Sequence, residues 1–207
     1  MLYYELSHRR TFKYRSLRRV SGPAVEPVTL AEAKAHLHID PLFTEDDSYL
    51  QSLIVSARFH VEAVIDMTLI RSQWQMKFDH FPAWDIPLPR PPIATGDVVV
   101  TYIQAESGES PRTLTGFRVD RDSTPAVIRP AWNGAWPTAR GAENDVTVTY
   151  WAGWESANLV PRPAVHAMLM ILASWYSNRE AVVAGSMSKV PMAVDALLGS
   201  VNWGQYK

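Results

Sequence analysis

The 207-residue sequence contains no cysteine. That excludes a disulfide framework, thiol catalysis, iron–sulfur clusters and cysteine-based zinc sites. A reducing compartment is permitted by this and not required. Long apolar runs are also missing, since the longest helical block, residues 167–176, is half the length that spans a bilayer. The opening MLYYELSHRRTFKYRSLRRV has no continuous apolar stretch and does not read as a secretory signal. The expectation is a soluble chain, made and used in the cytoplasm, with no membrane partner. There is no phosphate-cradling glycine loop, no G-x-S-x-G and no dinucleotide fingerprint. Nothing in the motifs points to an enzyme or to a cofactor.

What is present is ordinary for a globular protein: 47% hydrophobic and 20% charged residues, too apolar for wholesale disorder. The length suits one compact body. Net charge is −1 but unevenly placed. Residues 1–25 carry Arg9, Arg10, Lys13, Arg15, Arg18 and Arg19 against Glu5 alone, an excess of five that leaves −6 for the rest. This basic N-terminal arm is expected to stay unfolded until it meets an acidic protein surface or DNA phosphates, because like charges repel and little apolar surface offsets the ordering entropy.

Beyond the arm, Thr29 and Glu32 form a capping box ahead of a helix over 29–38. A second helix over 47–66 carries Leu50, Leu53, Ile54, Ala57, Val61, Val64 and Ile65 on one stripe, with Asp46 and Asp47 at its positive end. From Arg71 the period changes to two, with Trp74, Met76 and Phe78 on one face. Five prolines between Pro82 and Pro92 force an irregular extended crossing, and 97–104, 116–120, 126–130 and 145–153 read as strands. Pro161 and Pro163 precede a helix over 164–178, and Pro191 opens a last one over 191–198. The expected fold is α+β: a small helical bundle, residues 26–198, with a mostly antiparallel β insertion at 71–153, the basic arm before it and an extended tail, 199–207, after it.

Candidate chemistry is thin. Ser186-Met187-Ser188-Lys189 matches the S-x-x-K of penicillin-recognising enzymes, but its companions S-D-N and K-T-G are absent, and Gly185 and Pro191 make the segment a loop. His36 and His38, two apart, point to different helix faces, and His8, His60, His80 and His166 have no partner at ligand spacing, so no metal is expected. The acids Glu45, Asp46 and Asp47 are explained by helix capping, without the paired acids of a glycosidase. No catalytic residue is assigned. The eight tryptophans carry more information. Trp132 and Trp136 bracket a loop, and with the helix-end charges Arg179 and Glu180 they are candidates for contact between subunits, since Trp, Tyr and Arg anchor protein interfaces. The alternative is a small carbohydrate- or peptide-binding module that uses the same tryptophans.

Taken in order, EPVTLAEAKAHLHID, EDDSYLQSLIVSARFHVEAVI, QWQMKFDHFP, IPLPRPPI, VVVTYI, VTVTYWAGW, VPRPAVHAMLMILASWYSNREAVV and VPMAVDALL resemble the head-tail connector, or adaptor, proteins of tailed phages and of phage-derived gene transfer agents. The resemblance covers residues 26–198 and lies in the order of segments more than in any one of them. It implies a structural, non-enzymatic subunit of a homo-oligomeric ring, typically dodecameric, beneath the portal protein at the DNA-exit vertex. It further implies that the C-terminal segment, here with Trp203, Tyr206 and Lys207, docks on the portal. The opposite face would receive the next neck or tail-completion protein, and DNA would pass through the lumen without sequence specificity. The location so implied is the virion neck, assembled in the host cytoplasm. The arm has no counterpart in this resemblance.

Overall fold

The Thr29 hydroxyl accepts the Glu32 N–H while the Glu32 carboxylate accepts the Thr29 N–H, which closes the capping box, and helix α1 (Leu30–Leu37) begins there. It stops at His38, whose left-handed backbone (φ 57°) turns the chain before Asp40-Pro41 is reached. The computed structural model describes residues 13–105, 110–123, 125–178 and 192–201, within which the chain divides into a helical unit and a sheet unit.

The helical unit comprises Gly22–Ser72, Arg90–Ala94 and the chain from Ala152 onward. Besides α1 it holds α2 (Asp47–Ile65), α3 (Arg162–Ser177) and α4 (Met192–Val201). Six of the seven expected stripe positions of α2 are buried, but Val64 is 50% exposed. Val64 and Ile65 both lie within a turn of Val61, and the stripe takes in only Ile65. Pro163 falls in the first turn of α3, where its missing N–H costs no helical hydrogen bond, and the helix buries Val165, Met168, Ile171 and Leu172. Helix α4 runs three residues beyond its expected end at 198 and buries Val194, Leu198 and Val201.

The acids at the start of α2 do other work than expected. Asp46 makes no side-chain cap; its carboxylate accepts the Tyr176 hydroxyl at 2.6 Å, and Asp47 pairs with the Lys34 ammonium at 2.5 Å. Deeper in the unit, Arg58 donates to Glu26 at 2.7 Å and to Glu62 at 3.0 Å, and Glu62 also accepts the Leu69 N–H at 2.8 Å. Gly153 (φ 102°) is required by a close approach of backbone to backbone, because a Cβ there would lie 2.5 Å from the Ile70 carbonyl carbon.

The sheet unit comprises residues up to Ser21, Gln73–Pro89 and Thr95–Trp151. Its strands are β1 (Ser16–Ser21), β2 (Ser72–Phe78), β3 (Ile86–Pro87), β4 (Val99–Tyr102), β5 (Arg112–Thr113), β6 (Phe117–Asp120), β7 (Val127–Pro130) and β8 (Val146–Ala152). Five strands lie in the order β1-β2-β8-β4-β5, and three more in the order β3-β7-β6. Strict alternation buries Trp74, Met76 and Phe78 on β2 and Val146, Val148 and Tyr150 on β8. The Tyr150 hydroxyl donates to the Pro89 carbonyl at 2.8 Å, so burial leaves it a partner.

Three strands escape the sequence reading. The proline-rich crossing contains β3, because its prolines leave Ile86 and Leu88 with their N–H groups; Ile86 registers with Ile128, and Leu88 donates to the Ala126 carbonyl at 2.8 Å. Strand β5 is two residues long and its residues are exposed, too short for periodicity to reveal. Strand β1 corrects the expectation that the arm stays unfolded alone. Ser16–Ser21 pairs antiparallel with β2, and the charges are dispersed onto different partners: Arg15 on Asp79, Arg18 on Gln75, and Arg19 over the Trp74 ring at 4.9 Å. Main-chain hydrogen bonds to a strand already folded supply what the arm lacks by itself.

Candidate subunit-contact surfaces

In the sheet unit, the segment after β2 is built around Phe81. Its ring stacks on Trp136 (centroids 5.3 Å apart, planes 9° apart) and meets Tyr102 and Phe78 edge-on at 5.5 and 6.3 Å. The Trp136 indole N–H donates to the Trp84 carbonyl at 2.9 Å. Asp79 accepts the Asn144 N–H at 3.0 Å and the Arg15 Nε–H at 2.7 Å, which ties three chain segments together. The Asn144 amide first, and the Arg15 guanidinium after it, hold the Asp79 carboxyl below the usual carboxylate range.

Residues 80–83 stand between two grooves. One, of about 460 Å³, runs to Pro130 and residues 134–139. The other, of about 810 Å³, is lined by Lys13, Tyr14, Arg15 and residues 78–84. Both have aromatic and proline walls interspersed with polar groups, an arrangement suited to taking up side chains of another molecule. Beside them, residues 131–134 form a tight turn closed by Gly134 N–H to the Ala131 carbonyl at 2.8 Å, with Asn133 left-handed (φ 58°). The turn displays Trp132, 78% exposed, with the Arg118 guanidinium 5.4 Å from its ring centroid.

In the helical unit, the loop between α1 and α2 displays Leu42, 89% exposed, and part of Phe43. Lys34, itself buried, reaches under that loop to the Phe43 carbonyl at 2.7 Å and the Pro41 carbonyl at 3.3 Å. Among the described residues no group of three or more His, Asp or Glu is placed to hold a metal, and no helix is long and apolar enough to cross a membrane.

The structure separates the two candidate contact tryptophans. Trp132 is presented outward, whereas Trp136 is half-buried, stacks on Phe81, donates to the Trp84 carbonyl and lines the 460 Å³ groove. Of the arm's cations, Lys13, Arg15, Arg18 and Arg19 are placed along or just before β1. Arg9, Arg10, Arg179, Glu180, Trp203, Tyr206 and Lys207, and the S-x-x-K segment, lie outside the described residues. The sequence reading passed over the Phe81 cluster and the Leu42 loop. Their signal was FPAW, two aromatics around a proline, and DPLFTE, an apolar pair between acids.

This is an α+β fold shared with a component of gene transfer agent particles. The chain is similar to one in the virion of a native gene transfer agent particle, with a TM-score of 0.70 and 21% identity over 89% of this chain and 93% of that one. It is also similar to a chain in the neck of an empty particle computed with C6 symmetry (TM-score 0.72, 22% identity, 89% and 94% covered). A third likeness is to a chain in the neck of a native particle computed with C12 symmetry (TM-score 0.66, 22% identity, 89% and 93% covered). No protein-family model and no curated protein matches the sequence.

Proposed function

We propose that this chain is a structural subunit of a phage-like neck: an adaptor that assembles as a ring under the portal, joins the capsid to the tail and lets DNA pass. The observation that carries the reading is a fold shared with neck chains over 89% of this chain and 93–94% of theirs. Necks solved with sixfold and twelvefold symmetry are what a cyclic assembly requires, and a closed ring needs two different patches on each copy meeting head to tail. The exposed Trp132 and the aromatic grooves are such surfaces. In this reading the protein is non-enzymatic, resides in the virion neck, and needs no cofactor.

Finer roles follow from the same reading. The C-terminal Trp203, Tyr206 and Lys207 dock on the portal, the opposite face takes the next neck protein, and Arg179 and Glu180 sit at a contact between copies. Arg9 and Arg10 meet DNA or an acidic partner surface, with Lys13 beside them; Arg15, Arg18 and Arg19 already have partners within the sheet unit. The test is sedimentation and mass measurement of the purified chain, alone and with its portal protein. A closed ring, formed alone or recruited by the portal, is the expected result. A monomer that also ignores the portal would refute the reading.

A further inference from the structure

We infer that the loop at residues 39–46 is an assembly knob that seats in the 810 Å³ groove of a second copy of this chain, an inference that rests on the ring reading above. Leu42 is more exposed than any other large hydrophobic side chain described, yet its loop is held firmly. The Asp40 carboxylate accepts the Leu42 N–H at 2.8 Å, and the Asp40 carbonyl accepts the Phe43 N–H at 3.0 Å. From beneath, the buried Lys34 ammonium binds the two loop carbonyls and Asp47. A buried charge is costly unless fully paired, and here its partners are what give the loop its shape. The result is an apolar side chain fixed in water and kept off the core of its own helical unit. Fixing it beforehand lowers the ordering cost of binding.

Charge selects the occupant. Residues 39–57 contain Asp40, Glu45, Asp46 and Asp47 and no Lys, Arg or His, so the knob is apolar with anionic flanks. The groove differs: Tyr14, Phe78, Phe81, Pro82 and Trp84 form its walls, and Lys13 lines it beside an Arg15 already paired with Asp79 at 2.6 Å and Glu143 at 3.5 Å. An apolar knob flanked by acids, Glu45 among them, fits an apolar groove that offers the Lys13 ammonium. Knob and groove are different patches of one chain, so each copy offers one and receives one. That is the head-to-tail contact a closed ring needs.

The absence of native cysteine makes the test direct. Ala83 is exposed on the groove wall, so Leu42→Cys and Ala83→Cys are both surface changes. Mixed and mildly oxidised with the portal present, the two variants should give a covalent dimer at about tenfold the yield of either alone. The doubly substituted chain should give a ladder of linked copies. Leu42→Ser, with an unchanged melt, should weaken self-association about tenfold. Glu45→Lys should weaken it about threefold and Lys13→Glu should restore it. Rings that form while the cysteines stay unlinked, or that tolerate Leu42→Ser, overturn the knob and leave the ring reading intact. Linked copies in open fibres support the knob and overturn the closed ring. Leu42→Cys linking to the portal, or neither rings nor links forming, overturns the knob as well.

Discussion

Arg58 is 3% exposed, between Glu26 and Glu62, and buried charge of that kind is safe only as a set. Arg58→Met should cost about 3–5 kcal/mol, because it takes the Arg58 cation away from both Glu26 and the buried Glu62. Adding Glu62→Leu should recover only part of this, since the Leu69 N–H then loses its acceptor. Urea unfolding of the single and double variants checks both. Asp145, 1% exposed, is held below the ordinary carboxyl value of 3.8 by Arg140 first and then by the Ala142 N–H. A lowered folded-state pKa stabilises fully above the ordinary value and loses that contribution as pH falls through the lower one. Asp145→Asn should therefore be less stable than the parent at about pH 6, with the gap in urea midpoint closing toward about pH 3. Of these residues the sequence shows only the types. That Arg58 lies between two glutamates depends on Glu26, 32 positions away.

At the scale of elements, α4 runs through Val201, three residues into the expected 199–207 tail, and buries that valine, so removal of 199–207 takes away one core side chain. Ending the chain after Val201 should leave the thermal melt unchanged while portal attachment drops. Ending it after Leu198 should lower stability by about 1–2 kcal/mol, from loss of one buried valine and the last helical residues. Calorimetry of the two truncations, with pull-down on portal, separates docking from folding. Helices α1, α2 and α3 were legible because a capping box, an apolar stripe and paired prolines are local signals. Strands β1 and β3 were not, because each owes its conformation to a partner strand distant in sequence, and β5 is too short to show a period.

For the whole molecule, the arm contains the folded strand β1, and the proposed function adds a DNA or partner contact at Arg9 and Arg10. Deleting residues 1–12 removes Arg9 and Arg10 but leaves β1, so the melt should persist. If those arginines meet DNA, the log–log slope of affinity against salt should become shallower by about 2, near 0.9 per phosphate released. An acidic protein partner would give a milder salt effect in binding titrations. Protection of the arm from protease in the assembled particle, against cleavage in the free chain, marks either contact; equal cleavage in both would leave the arm without a partner.

Fold class was determined by composition and local pattern. A chain without cysteine excludes disulfides and thiol chemistry, and helix signals within a few residues of each other place the bundle. The order of those segments carried the resemblance to adaptor proteins that the shared fold then matched. Tertiary structure alone decided which aromatics look outward. Trp132 and Trp136 sit four positions apart in similar loop sequence, yet one is exposed and the other stacks on Phe81, 55 positions earlier. It also decided that residues 16–21 of the arm would pair as a strand despite the cations around them, and that a buried lysine would hold Leu42 out in solvent. Burial and pairing are properties of contacts between distant segments, and a residue's own neighbours in sequence do not specify them.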